Sequence, residues 1–136
     1  MPDWGSIPWV GVLVAVVASQ IIGFLWYGPL FGKQWIAGMG KSEEDMKNTE
    51  GLGQAIGVGV VSSIVSATAL ALLISLSESP DVESGCKIGL LAAAIVSAYI
   101  VITMMYEQRN RTVSIINIAN QGVTTVVAGA IIGAMW

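Results

Sequence analysis

The chain has 136 residues, 54% hydrophobic and only 11% charged, with a mean hydropathy of +0.74; soluble domains carry about 25% charged residues, so that class is excluded. One cysteine, Cys86, and no histidine leave no intrachain disulfide and no zinc or haem site built on His or paired Cys within one chain. Six Lys and Arg against nine Asp and Glu give a net charge of −3 and no basic footprint for nucleic acid.

Spanning a bilayer as a helix takes about 20 predominantly apolar residues, and four runs supply them: 8–27, 52–76, 86–106 and 113–136. The expected fold is an all-α integral membrane protein, a single membrane domain over residues 1–136 with four transmembrane helices in an antiparallel bundle. The first run holds no charge, and Gln20 beside Ser19 is its one strongly polar side chain. Ser6 is its expected cap, with Pro8 in the first turn, where a missing N–H costs nothing. The segment is expected to stay as an anchor rather than to be cleaved as a signal peptide. Its start carries Asp3 and no Lys or Arg, and its end carries Trp26 and Tyr27.

Gly28 and Pro29 are expected to end this helix. Residues 30–39 are apolar and aromatic but too short to span. They read as an interfacial or re-entrant segment within a loop of residues 28–51, with Trp35 at headgroup depth and Lys33 reaching water. Ser42 followed by Asp45 has the form of a capping box, so a short surface helix is expected over 43–48.

The second run carries Gly53 and Gly57 at GxxxG spacing, then Ser62, Ser63, Ser66 and Thr68. Small residues let helix backbones approach closely in lipid, either within one chain or between copies. An acidic loop over 77–84 precedes the third helix, for which Ser79 is the expected cap and Pro80 the first helical position. Gly85 and Gly89 lie near its start. After a tight polar turn, Thr112 is the expected cap of the fourth helix, which carries Gly129 and Gly133 near its end. The middle of that helix holds Asn117, Asn120, Gln121 and Thr124 at i, i+3, i+4 and i+7, one polar face. Such side chains in lipid need partners or water. Gln20, Ser62, Ser66 and Thr103 are the expected partners.

Lys33, Lys41, Lys47, Arg109 and Arg111 fall in the first and third loops, against Lys87 alone at the other end. By the positive-inside rule those loops are cytoplasmic and both termini non-cytoplasmic, in a cell (inner or plasma) membrane.

Leu25-Trp26-Tyr27-Gly28-Pro29-Leu30-Phe31-Gly32-Lys33 with Trp35, then Ser42-Glu43-Glu44-Asp45, resemble the signature of small four-helix membrane proteins grouped as domain of unknown function 1761. Glu107 through Arg111, Ile116-Asn117, Gly129 to Gly133 and Trp136 follow that family's last loop and helix. Family members often carry Tyr-His where this chain has Asn120-Gln121, so no proton-transfer role carries over. The resemblance implies a fold and no activity.

Three function classes remain. The first is a non-catalytic structural or accessory membrane subunit, self-associating or packed with other membrane subunits in the lipid bilayer, with no cofactor. The second is a small channel or transporter for a neutral solute along the fourth-helix face. Proton coupling lacks its titrating group, since no Asp or Glu lies within a span. An enzyme is the least supported, because no histidine exists and Cys86 has no evident base.

Overall fold

A computed structural model describes residues 3–136, and the described residues form helices joined by turns and loops, with no strand. Helix α1 covers Trp9–Leu25, α2 Gly32–Gly38, α3 Leu52–Ser75, α4 Val82–Tyr106 and α5 Arg111–Ala134. Four helical stretches are long and apolar enough to cross a membrane: Trp9–Leu30, Leu52–Ser75, Val82–Tyr106 and Arg111–Ala134. This is a multi-pass membrane protein by that measure. Phe24, Ile95 and Tyr99 are at least 70% exposed, an arrangement that hydrocarbon accepts and water does not.

The first helix does not stop at Gly28 and Pro29. A π-turn over Trp26–Leu30 carries it past Pro29, and Phe31 N donates to Trp26 O at 2.9 Å. The wider i→i+5 ring makes room for the pyrrolidine and tolerates its missing N–H, which a regular α-turn does not. Gly32 then lets α2 turn off, because a Cβ there would sit 2.8 Å from Tyr27 O.

Four expected helix starts also move. Ser6 donates its hydroxyl to Asp3 O and so does not cap α1; the Asp3 side chain instead caps a short turn at Trp4–Ser6. Asp81, not Ser79, caps α4. Its Oδ1 accepts from Ser84 N at 2.8 Å, and Ser84 Oγ accepts from Asp81 N at 2.9 Å. A charged acceptor with a reciprocal partner outcompetes a lone serine. Asn110, not Thr112, caps α5, accepting from Thr112 N and Val113 N. The expected surface helix over 43–48 shrinks to one turn, Asp45–Lys47. The reciprocal Ser42–Asp45 bonds do form, at 2.8 and 3.3 Å.

Two contacts between spans set the architecture. In α4 and α5, Gly85 lies against Gly129, Gly89 against Thr125 and Val126, and Gly133 against Asp81. Numbers rise on one helix as they fall on the other, so the two run in opposite directions. A Cβ on Gly85, Gly129 or Gly133 would overlap a backbone carbonyl of the partner. On the other side, α1 packs on α5 through Gly11 against Ile132 and Met135 at one end and Trp26 against Ile116 at the other. Helix α3 leans on α1 by its C-terminal half. Ala67, Leu70, Ala71 and Ile74 are buried with Val12, Ala15 and Val16 of α1 and Ala128 and Ile132 of α5. The N-terminal half of α3 contributes nothing to that core.

Candidate functional site

The polar face of α5 meets the aromatic end of α1. Asn117 and Tyr27 are ninety residues apart, yet Tyr27 donates its hydroxyl to Asn117 Oδ1 at 2.7 Å. Asn120 Nδ2 donates to the same tyrosine oxygen at 3.4 Å, and Thr124 Oγ1 donates to Asn120 Oδ1 at 3.2 Å. Asn120 is buried. Beside this chain of bonds, Trp26 Nε1 donates to Ile116 O at 3.0 Å. Three of the four stripe residues are therefore hydrogen-bonded inside the chain.

The partners differ from those expected. Gln20 binds Ser63 Oγ at 2.7 Å rather than the stripe, and Thr103 turns back to Ile100 O. Ser62 and Ser66 form no side-chain hydrogen bond among the described residues, unlike Ser19, Ser63 and Thr125, which bond backbone carbonyls one turn earlier. Sequence reasoning missed Tyr27 as the hub. Its signal was depth: Tyr27 ends the first span and Asn117 lies one turn and a half inside the last, measured from the same end.

Gln121, the fourth stripe residue, takes no part in the hydrogen bonds of the knot. With Asn120 and Thr124 it lines a cleft of about 250 Å³ between α3 and α5, shared with Ser62, Ser63, Ser66, Leu70 and Ala128. No charged residue lines this cleft. Its polar groups are hydroxyls and amides, which offer donors and acceptors without titrating near neutral pH.

The interfacial residues and the glycines occupy distinct places. Gly28 is exposed and open, Pro29 sits inside the π-turn, Lys33 is exposed on α2, and Trp35 is tilted against Tyr27 with ring centroids 5.0 Å apart. Gly85, Gly89, Gly129 and Gly133 are buried at the α4–α5 contact. Gly53 and Gly57 have no atom within 4 Å of where a Cβ would be. Among the described residues no three Cys, Asp or Glu groups cluster as metal ligands.

Both loop carboxylates with resolved shifts accept from a serine three residues away. The Ser84 backbone N–H, then its hydroxyl, hold the Asp81 carboxyl below its ordinary value of 3.8. Ser42 does the same to Asp45, again chiefly through its backbone N–H.

Residues 10–133 match the family described as protein of unknown function (DUF1761), a match that takes in all four spanning helices and every residue of the Tyr27 knot. The chain belongs to that family. No curated protein and no solved structure matches it. The family brings no assigned activity, so the functional reading rests on the geometry of the knot, the cleft and the open glycine face.

Proposed function

We propose that this chain is a non-catalytic membrane subunit that self-associates, or packs into a larger membrane complex, through the N-terminal half of α3. The observation that carries the reading is the unequal fate of the glycine pairs. Gly85, Gly89, Gly129 and Gly133 are used up by the α4–α5 contact, whereas Gly53 and Gly57 lie bare. A bare GxxxG face is a surface on which a second helix can approach at backbone distance. The stripe serves as internal glue, consistent with the bonding of Asn117, Asn120 and Thr124.

In this reading the four spans form an antiparallel bundle in the cell membrane. The loops bearing Lys33, Lys41, Lys47, Arg109 and Arg111 face the cytoplasm, and α2 lies along the interface. A reporter fused after Trp136 then reads as non-cytoplasmic, and cytoplasmic activity of that fusion refutes the topology. Self-association is tested by native mass spectrometry from mild detergent. Oligomers or subunit complexes are expected, and Gly57→Leu is expected to dissociate them with helix content unchanged. A lone chain in that experiment would falsify the proposal.

A second reading is a route for a neutral solute. It is favoured by the uncharged cleft, where the side chains of Ser62, Ser66 and Gln121 make no hydrogen bond among the described residues. Ser66→Leu with Gln121→Leu should abolish uptake of a small polyol into proteoliposomes. Unchanged uptake removes this reading.

A further inference from the structure

We propose that the pocket between α2 and the α4–α5 turn binds the phosphate headgroup of an anionic phospholipid. This pocket, about 440 Å³, is lined by Tyr27, Trp35, Met39, Arg109, Asn110 and Asn117, among others. Its chemistry is one-sided. Every side-chain oxygen that lines it is already engaged within the protein. Asn110 Oδ1 caps α5, Asn117 Oδ1 accepts from Tyr27, and the Tyr27 oxygen itself accepts from Asn120. The donors remain. Asn110 Nδ2, Asn117 Nδ2 and Trp35 Nε1 have no hydrogen-bond partner among the described residues. Arg109 gives only its Nε to Glu107, at 2.5 Å, which leaves the Nη groups of its guanidinium. A pocket with donors to spare, no acceptor and one guanidinium selects an acceptor-rich anion, and phosphate oxygens fit that description.

Position selects the source. The pocket lies where three spans reach the same membrane end. It is walled by the Tyr27–Trp35 aromatic pair and bordered by apolar Met39 and Val113, as a headgroup with acyl chains requires. Its walls are fixed, because Gly38 brings α2 against α5 so closely that a Cβ would meet Val113 Cγ2 at 2.7 Å. The cations of this end are balanced by Glu43, Glu44, Asp45, Glu50 and Glu107. Recognition is thus local and owes nothing to a broad positive field.

The test is native mass spectrometry of the full chain in mild detergent, titrated with phosphatidylglycerol, phosphatidylcholine or inorganic phosphate. Phosphatidylglycerol is expected to be retained about tenfold more tightly than phosphatidylcholine. Arg109→Gln should lower that retention about tenfold, the factor that one charge-assisted hydrogen bond is worth. Trp35→Phe, which keeps the ring and removes the donor, should lower it severalfold, and Lys87→Gln at the opposite end should leave it unchanged. Equal retention of the two lipids, or an Arg109→Gln variant that behaves like the parent, overturns the proposal. Phosphate bound without any lipid preference assigns the pocket to a soluble anion and overturns it as well. The readout is an adduct mass on each chain, so it stands or falls separately from the oligomer count that tests self-association.

Discussion

The α4–α5 pair and helix α3 carry the same small-residue spacing and use it oppositely. In the pair, Gly85 and Gly89 face the region of Gly129 and Thr125, and Gly133 faces Asp81, so backbone lies on backbone along much of the contact. In α3 the glycines come first and the packing residues last; Ala67, Leu70, Ala71 and Ile74 are buried and nothing before Ala67 is. The difference lies in the partner. Two opposed helices with glycines at matching depths can interdigitate, and nothing on α1 or α5 answers Gly53 and Gly57 at their level. A GxxxG pair is therefore a statement about closeness and not about which helix comes close.

The largest expected effect tests the closed half of this contrast. Gly85→Leu drives side-chain atoms into the Gly129 carbonyl and should cost about 3 kcal/mol, the upper range for overpacking. Thermal unfolding in detergent measures it, and an unchanged midpoint would break the account of the α4–α5 contact. The polar knot comes next. Tyr27→Phe removes the hub and strands both Asn117 Oδ1 and Asn120 Nδ2, a loss of about 1–2 kcal/mol. A double-mutant cycle with Asn117→Leu should return a coupling of about 1 kcal/mol, because the two changes delete one bond.

The open half sharpens the contrast by changing sign. Gly57→Ala meets no atom and raises helix propensity, so the single chain should gain about 0.5–1 kcal/mol where Gly85→Ala loses stability. Gln121→Leu removes no intrachain bond and should leave unfolding within about 0.5 kcal/mol of the parent. The smallest effect concerns the start of α4. Folding lowers the Asp81 pKa, so its cap contributes fully above the ordinary carboxylate value of 3.8. That contribution is lost as pH falls below that value and through the lower folded pKa. Asp81→Asn should flatten this acid dependence, as amide exchange at Ser84 and Gly85 would register.

Hydropathy alone made the four spans legible, because nothing in the intervening loops approaches the needed apolar length. The near-absence of charge inside the spans pointed to an uncharged polar face as the place of interest, and that face proved to be a bonded seam. Local details were harder. Ser79 and Asp81, or Asn110 and Thr112, are both capping residues within two positions, and only the geometry of the turn chooses between them. Pro29 reads as a stop until the π-turn is seen to accommodate it. The Tyr27–Asn117 bond spans ninety residues of sequence and depends on which helices are neighbours, which a single chain of letters does not encode by spacing.

The π-turn at Trp26–Leu30 has a consequence beyond passing a proline. Consecutive side chains on a regular helix diverge by about 100° and do not face one neighbour together. Yet Trp26 and Tyr27, adjacent in sequence, both donate to adjacent residues of α5. A widened turn advances less per residue, so it acts as a phase correction that keeps both rings in step with the opposing helix. Pro29 lies inside that turn. Pro29→Ala should free the segment to return to ordinary pitch and let the two rings slip out of step, so that a change at the rim of the first span would be felt as lost hydrogen bonds on the last.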